Sequence, residues 1–313
     1  MHRDASADRI SSSPCTLCPR MCGALRDEGQ RGVCGADDQM LVARAALHFW
    51  EEPPLSGESG SGAVFFSHCP LRCVYCQNSE IARGDAGVAV SVERLAQICL
   101  ELQDAGALNV NFVTPTHHSL KIREAVELAC SQGLALPIVW NTSGYERTAV
   151  IEALDGTVDV YLADFKYSDS ELAARYSKAP DYPSVALDAI GAMLESVGEP
   201  AFDEYHGQVR MTRGVVVRHL VLPGALDNSK RALELLFERF GNAVLYSVMN
   251  QYTPVMPPEA LARFPELGAR VPDAEYEELL DFADAIGMDD YFWQQGPAAL
   301  ESFIPAWDST GVQ

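Results

Sequence analysis

Apolar, β-branched runs alternate with stretches of helical period through the middle of this chain. Ala63-Val64-Phe65-Phe66, Asn109 to Val113, Leu136 to Trp140, Val158 to Leu162, Val215 to Leu222 and Ala243 to Val248 read as six strands. After the first, Ser91 is placed to cap a helix in which Leu95, Ile98 and Leu102 recur at spacings of three and four before Gly106 stops it. Ser119 is placed to cap the next helix, which carries Ile122, Val126 and Ala129 and ends at Gly133; further helices are expected near 147–154, 183–197 and 229–240. This alternation predicts parallel βαβ units with right-handed crossovers. Six units are too few for the closed eight-stranded barrel, which leaves an open α/β partial barrel, (β/α)6, or a doubly wound sheet.

The flanks have a different texture. Residues 1–50 begin polar and Ser-rich and then carry four cysteines, so they are expected to form a small metal-binding module. Pro53-Pro54 with Gly57, Gly60 and Gly62 marks a linker over 51–62, ahead of a barrel spanning 63–252. The extension 253–313 is first Pro-rich, then helical from Asp273 to Ile286, then a tail whose Phe292, Trp293, Phe303 and Trp307 are expected to pack back on the body. No run approaches the roughly 20 apolar residues that span a bilayer. The start, Met1-His2-Arg3-Asp4, lacks the apolar core of a signal peptide, so no membrane partner and a cytoplasmic location are expected.

Charge narrows the partners. With 23 Lys and Arg against 44 Asp and Glu the net charge is −21, which argues against nucleic acid as a partner. The acidic residues are spread along the chain as a solvated surface. Arg20, Arg26, Arg31 and Arg44 gather in the N-terminal module, making it the expected docking face for an acidic electron carrier.

Nine cysteines are present, and seven fall into two tight groups suited to metal rather than disulfides. Cys69, Cys73 and Cys76 are spaced C-x3-C-x2-C directly after the first strand, where the loops at the C-terminal ends of barrel strands build active sites. Three local thiolates without a fourth suggest a cluster with one iron open to substrate or cofactor. Cys15, Cys18, Cys22 and Cys34 form a closed set, C-x2-C-x3-C-x11-C, which suits zinc or an auxiliary 4Fe-4S cluster, three cysteines within eight residues leaning it toward iron–sulfur. Cys99 and Cys130 sit among apolar residues of helices, where cysteine acts as a small hydrophobe.

Cys69-Pro70-Leu71-Arg72-Cys73-Val74-Tyr75-Cys76, with Tyr75 before the last cysteine, resembles the signature of the radical S-adenosylmethionine superfamily. Asn141-Thr142-Ser143-Gly144-Tyr145, Asp164-Phe165-Lys166-Tyr167 and Arg218-His219-Leu220 extend the likeness toward relatives of pyruvate formate-lyase activating enzyme that carry an N-terminal cysteine module. The resemblance implies a 4Fe-4S cluster on Cys69, Cys73 and Cys76, with S-adenosylmethionine on its fourth iron. Reductive cleavage then gives methionine and a 5′-deoxyadenosyl radical that abstracts a hydrogen atom, either from a glycine of a partner enzyme or from a small molecule or another peptide. A reduced flavodoxin or ferredoxin is the implied donor, and a zinc-binding scaffold is the contrasting function. Tyr75, Asn141, Ser143, Asp164, Lys166 and Arg218 are the expected cofactor contacts. The activating enzymes' Gly-Gly-Glu is replaced by Thr114-Pro115-Thr116, leaving the Thr116 hydroxyl to meet the methionyl amino group. His68 reads as a residue that tunes the cluster or faces solvent, and His117-His118 as pocket or capping residues. Arg218 and His219, polar within an apolar strand, need either a pocket or an ion pair.

Overall fold

The computed structural model describes residues 10–84, 86–294 and 304–313. Its strands are β1 (Met40–His48), β2 (Ser61–Phe66), β3 (Val88–Val90), β4 (Val110–Val113), β5 (Ile138–Thr142), β6 (Val160–Asp164), β7 (Ala201–Tyr205), β8 (Gln208–Leu220), β9 (Leu245–Met249) and β10 (Tyr291–Trp293). All but β7, which forms a hairpin with β8, lie in the order β10-β9-β8-β6-β5-β4-β2-β1-β3. The six strands expected from the sequence are β2, β4, β5, β6, β8 and β9, and each runs parallel to its neighbours in that series. The sheet ends at β10 and β3 without closing, as an open partial barrel does.

Strand alternation divides the residues between two faces. Phe112, Trp140, Tyr161 and Val217 belong to the large core beneath the helices, whereas Val113, Asn141, Asp164 and Arg218 line the concave side. The helices obey the periodicity that called for them. Ser91 accepts a hydrogen bond from Arg94 N at the start of Val92–Asp104, which buries Leu95, Ile98 and Leu102. Ser119 is the first residue of its helix rather than its cap.

Several elements depart from the expectation. β1 is Ala-rich, and alanine has little intrinsic strand preference; it forms because it pairs antiparallel with both β2 and β3. The presumed linker lies inside the barrel's N-terminal end, where Glu52, Leu55 and Ser56 are buried and Pro53–Ser56 makes one helical turn. Leu55 packs against Val139, Val160, Leu162, Met211 and Val216 as a plug. Cys99 is buried as expected, but Cys130 is exposed on its helix and serves no core. In the C-terminal segment Trp307 packs edge-on to Phe65 at 5.3 Å, and Phe292 is half-buried in β10, but half of Trp293 is exposed. Phe303 lies outside the described residues. Among the described residues no helix is long and apolar enough to cross a membrane.

The plug has a measurable consequence. Leu55→Ala should lower unfolding stability by about 2–5 kcal/mol, the range for a fully buried leucine that leaves a cavity, as read by urea denaturation. A loss under about 1 kcal/mol would mean that the segment does not fill the barrel.

Candidate active site

The C-terminal ends of the parallel strands and residues 48–51 enclose a cleft of about 1260 Å³, its open mouth included. The chain enters its rim under strain. His68 (φ 72°) and Arg72 (φ 54°) after β2, and Thr114 (φ 59°) after β4, all adopt the left-handed conformation. Each costs a non-glycine residue about 1–3 kcal/mol and persists only where surrounding structure enforces it. The enforcement is visible: His68 N donates to Ile81 O at 2.7 Å, Val74 N to Tyr176 O at 2.8 Å, and Arg20 Nε to Pro70 O at 3.1 Å.

This loop brings Cys69, Cys73 and Cys76 together on the cleft wall. Burial, then repulsion from a neighbouring thiolate, pushes Cys69 up to about 11 and Cys76 up to about 12. Three mutually repelling thiols beside one cavity suit a cationic centre, which would favour their thiolate forms. Among the described residues no three His, Cys, Asp or Glu side chains form the compact array that a single metal ion takes. Cys73 is further held by the Ser177 hydroxyl at 3.1 Å, and Ser177 shares a 2.8 Å hydrogen bond with Tyr167, whose hydroxyl donates to that of Tyr75 at 2.8 Å. Such outer hydrogen bonds orient metal ligands. Tyr75 itself lines the cleft, edge-on to Tyr167, Tyr176 and Tyr252.

Below the cysteines lies a charged floor. Arg218 donates through Nε to Asp164 at 3.0 Å, through one terminal nitrogen to Glu51 at 3.1 Å and through the other to Asn141 Oδ1 at 2.6 Å. Asn141 and Asn111 each donate to Glu51, at 3.1 and 3.0 Å. Asp164 also takes Lys166 Nζ at 2.6 Å. Burial opposes ionisation of Asp164, but Lys166 and Arg218 outweigh it and hold the carboxyl below its ordinary range. Burial likewise opposes the Lys166 charge, and Asp164 overcomes it, holding the amine above its ordinary range. Every polar atom of Asn141 and Arg218 already has a protein partner, though the guanidinium keeps two N–H groups and the amide one; these two line the cleft with Ser143 and Lys166, whose Nζ keeps two donors beyond the one on Asp164. Glu51 was hidden from the sequence reading because it comes from the presumed linker; its signal was a pair of carboxylates directly before Pro53-Pro54.

Thr116 is set back from the cleft. Its hydroxyl donates at 2.7 Å to the buried Glu146, whose Oε1 also receives Thr142 at 2.6 Å and Trp140 Nε1 at 3.4 Å. Thr114 lines the cleft in its place. His219 faces the helical layer, bonded to Phe165 O at 2.7 Å and Ser229 Oγ at 2.9 Å, and burial lowers it to about 4. His117 and His118 are buried behind the cysteine loop; His117 meets Ser67 O at 2.8 Å, and burial followed by the Arg26 charge lowers it to about 3.

The N-terminal cysteines form their own set against this back wall. Cys15, Cys18 and Cys34 are buried and Cys22 is half-buried. A Cβ built on Gly32 would lie 3.3 Å from the sulfurs of both Cys22 and Cys34. Burial raises Cys18 and Cys34, and repulsion from the other thiolates of the set raises them further. Two of the four arginines expected to form a docking face, Arg20 and Arg26, turn inward instead. Arg20 ties Pro70 to Ser177, Arg26 is buried against Asp37 O and His118 Nδ1, and Arg44 pairs with Asp308 at 2.8 Å. A guanidinium's five donors suit this use as an internal tie.

The family profile described as the Radical SAM superfamily matches residues 63–236. The uncharacterized protein MJ0674 of Methanocaldococcus jannaschii is 29% identical over 286 residues, which cover 88% of this chain and 75% of that protein. Streptococcus suis SuiB bound to its precursor peptide SuiA aligns with a TM-score of 0.48 and 14% identity, over 72% of this chain and 46% of its own. SuiB bound to S-adenosylmethionine aligns with a TM-score of 0.45 and 16% identity, over 72% and 45%. The chain thus spans less than half the length of SuiB.

Glu146 yields a pH test. Burial raises its carboxyl from the ordinary 4.5 to about 7, so between those values the folded state holds a proton that the unfolded chain releases. Stability must then fall as pH rises through that window, by up to about 3 kcal/mol. Glu146→Gln should remove the fall, measured as the difference between variant and wild type in urea at pH 5 and pH 8. An unchanged difference would mean that the carboxyl is ionised in the fold.

Proposed function

From membership of the radical SAM superfamily, to which this chain belongs, we propose that the cleft is the site of a radical hydrogen abstraction. The observation that carries this reading is the set of three thiols on the wall of a charged cleft, directly after the first parallel strand. Cys69, Cys73 and Cys76 would hold a 4Fe-4S cluster. When bound, that cluster with S-adenosylmethionine supplies reductive cleavage of the sulfonium and a 5′-deoxyadenosyl radical.

The chain's own residues bind and orient. Lys166, with two N–H donors beyond the one on Asp164, is the partner for the methionyl carboxylate. Ser143 and Thr114 offer hydroxyls toward the ribose or the amino group, the latter where a Glu is lacking. Arg218, Glu51 and Asn141 keep the floor rigid, so little reorganisation is needed when charge moves above it. The N-terminal set is read as a second metal centre.

Hydrogen abstraction from a glycine of a partner enzyme is the activating-enzyme form of this chemistry. One observation favours the small-substrate form: Pro305 lines the cleft and Trp307 packs on Phe65, so the C-terminal segment narrows the access that a protein loop would need.

Reconstitution of the chain with iron and sulfide without oxygen, then dithionite and S-adenosylmethionine, should yield 5′-deoxyadenosine and methionine. The Cys69/Cys73/Cys76→Ala triple variant should yield none. Absence of product from wild type with its full iron content would overturn the reading. Lys166→Met should raise the S-adenosylmethionine concentration for half-maximal cleavage about tenfold or more, the loss of one charge-assisted hydrogen bond, with cleavage recovering at saturation.

A further inference from the structure

The two cysteine sets meet through a single histidine. Gly35, which directly follows Cys34, has φ +98°, and a Cβ built on it would lie 3.1 Å from His68 Nδ1. Glycine is therefore required there twice, for its backbone angle and for the closeness of the ring. His68 is 3% exposed, is itself left-handed, and directly precedes Cys69. From Cys34 to Cys69 the route is one peptide, a gap between the Gly35 backbone and the His68 ring too narrow for an unstrained side chain, and one more peptide.

The surroundings lock that contact. Arg26 is 2% exposed and lies 3.9 Å from Cys15 Sγ and 3.2 Å from His118 Nδ1. The rings continue from His118 to His117 at 4.3 Å between centroids and from His117 to His68 at 6.4 Å. On the other flank Arg72 donates to Val33 O at 3.1 Å. The residue after one cysteine of the N-terminal set thus faces the residue before one cysteine of the cleft set. Cys22 is half-buried, and the neighbours Met21 of Cys22 and Val33 of Cys34 are exposed, so a carrier protein can approach the set through apolar side chains.

Resting on the reading above, we propose that the N-terminal set holds an iron–sulfur cluster that receives electrons, and that His68 seated on Gly35 is the bridge to the Cys69 set. The donor class is a low-potential one-electron carrier protein. Each transfer oxidises the carrier by one electron and reduces the centre at Cys69, Cys73 and Cys76 by one; no bond forms or breaks, and His68 is unchanged.

The test uses the full chain reconstituted with iron and sulfide, and reads metal content and freeze-quench electron paramagnetic resonance during mixing with a reduced bacterial ferredoxin. Adding S-adenosylmethionine marks which signal belongs to the cleft. Wild type should hold two clusters, and the N-terminal signal should appear before the cleft signal. His68→Phe, which keeps a ring but shifts the contact, and His68→Ala should slow the cleft signal tenfold or more at unchanged iron content while leaving the N-terminal signal as fast as before. Zinc at the N-terminal set, a cleft signal that appears first, or equal rates in wild type and both variants would overturn the bridge. Cleavage of S-adenosylmethionine with dithionite bypasses the carrier, so it reports separately on the radical reading.

Discussion

The guanidinium of Arg218 is the point at which four separate parts of the chain become one site. It reaches from β8 to Asp164 at the end of β6, to Asn141 on β5, and to Glu51 in the segment that leads into the barrel's lower end. A lone cation in that interior would carry a desolvation penalty of several kcal/mol. Here two carboxylates and an amide oxygen satisfy it, and Lys166 adds a second cation on Asp164. Each partner comes from a different element, so the network forms only when the strands are in register and the segment 48–56 is seated. The curvature of the sheet, the position of Glu51 and the place of Lys166 beneath the cysteines are set together. Removing one partner leaves a buried charge uncompensated, which typically costs about 3–5 kcal/mol.

Above this rigid floor the rim is built from residues that fold under constraint. His68, Arg72 and Thr114 take a backbone conformation that none of them prefers. The cysteine loop is held from outside by Arg20 of the N-terminal module, Tyr176 O of the helix Ser170–Ser177 and Ile81 O of the turn after Asn78, and Thr114 N is held by Asn141 O of β5. Ser177 closes the arrangement by reaching Cys73 from that same helix. The N-terminal module is thus a structural partner of the cysteine loop, because the arginine at position 20 holds Pro70 and Ser177 at once.

What the sequence made legible follows from how local each signal is. The six parallel strands have continuous apolar runs because both of their faces are covered, and these announced themselves. The cysteine spacings and the residues that directly follow a strand, such as Ser143 after β5 and the Asp164-Lys166 pair at β6, were equally readable. The rest depends on distance. β1 is alanine-rich and exists through its pairing with β2 and β3. Glu51 reads as a charged residue before two prolines and acquires its role only from three strands up to 167 residues away. Asp169 could have revealed the helix Ser170–Ser177, since its carboxylate caps Glu171 N and Leu172 N. Thr116 looked like a substitute for a missing glutamate by position, but one turn of 3-10 helix carries it to Glu146 and leaves Thr114 on the cleft.

Two arginines of the N-terminal module show how composition alone can misplace a charge. A basic cluster on an acidic chain reads as a surface, because charges are ordinarily solvated. In this fold Arg26 is buried and Arg20 bridges two loops, so their charges serve the interior. The acidic excess then remains unbalanced over the outside, and an acidic carrier would meet repulsion across most of it. Apolar Met21 and Val33 beside Cys22 and Cys34 carry no such penalty. A carrier docking there, as proposed, would depend on shape and desolvation more than on charge, and its association would be less sensitive to ionic strength than electrostatic docking.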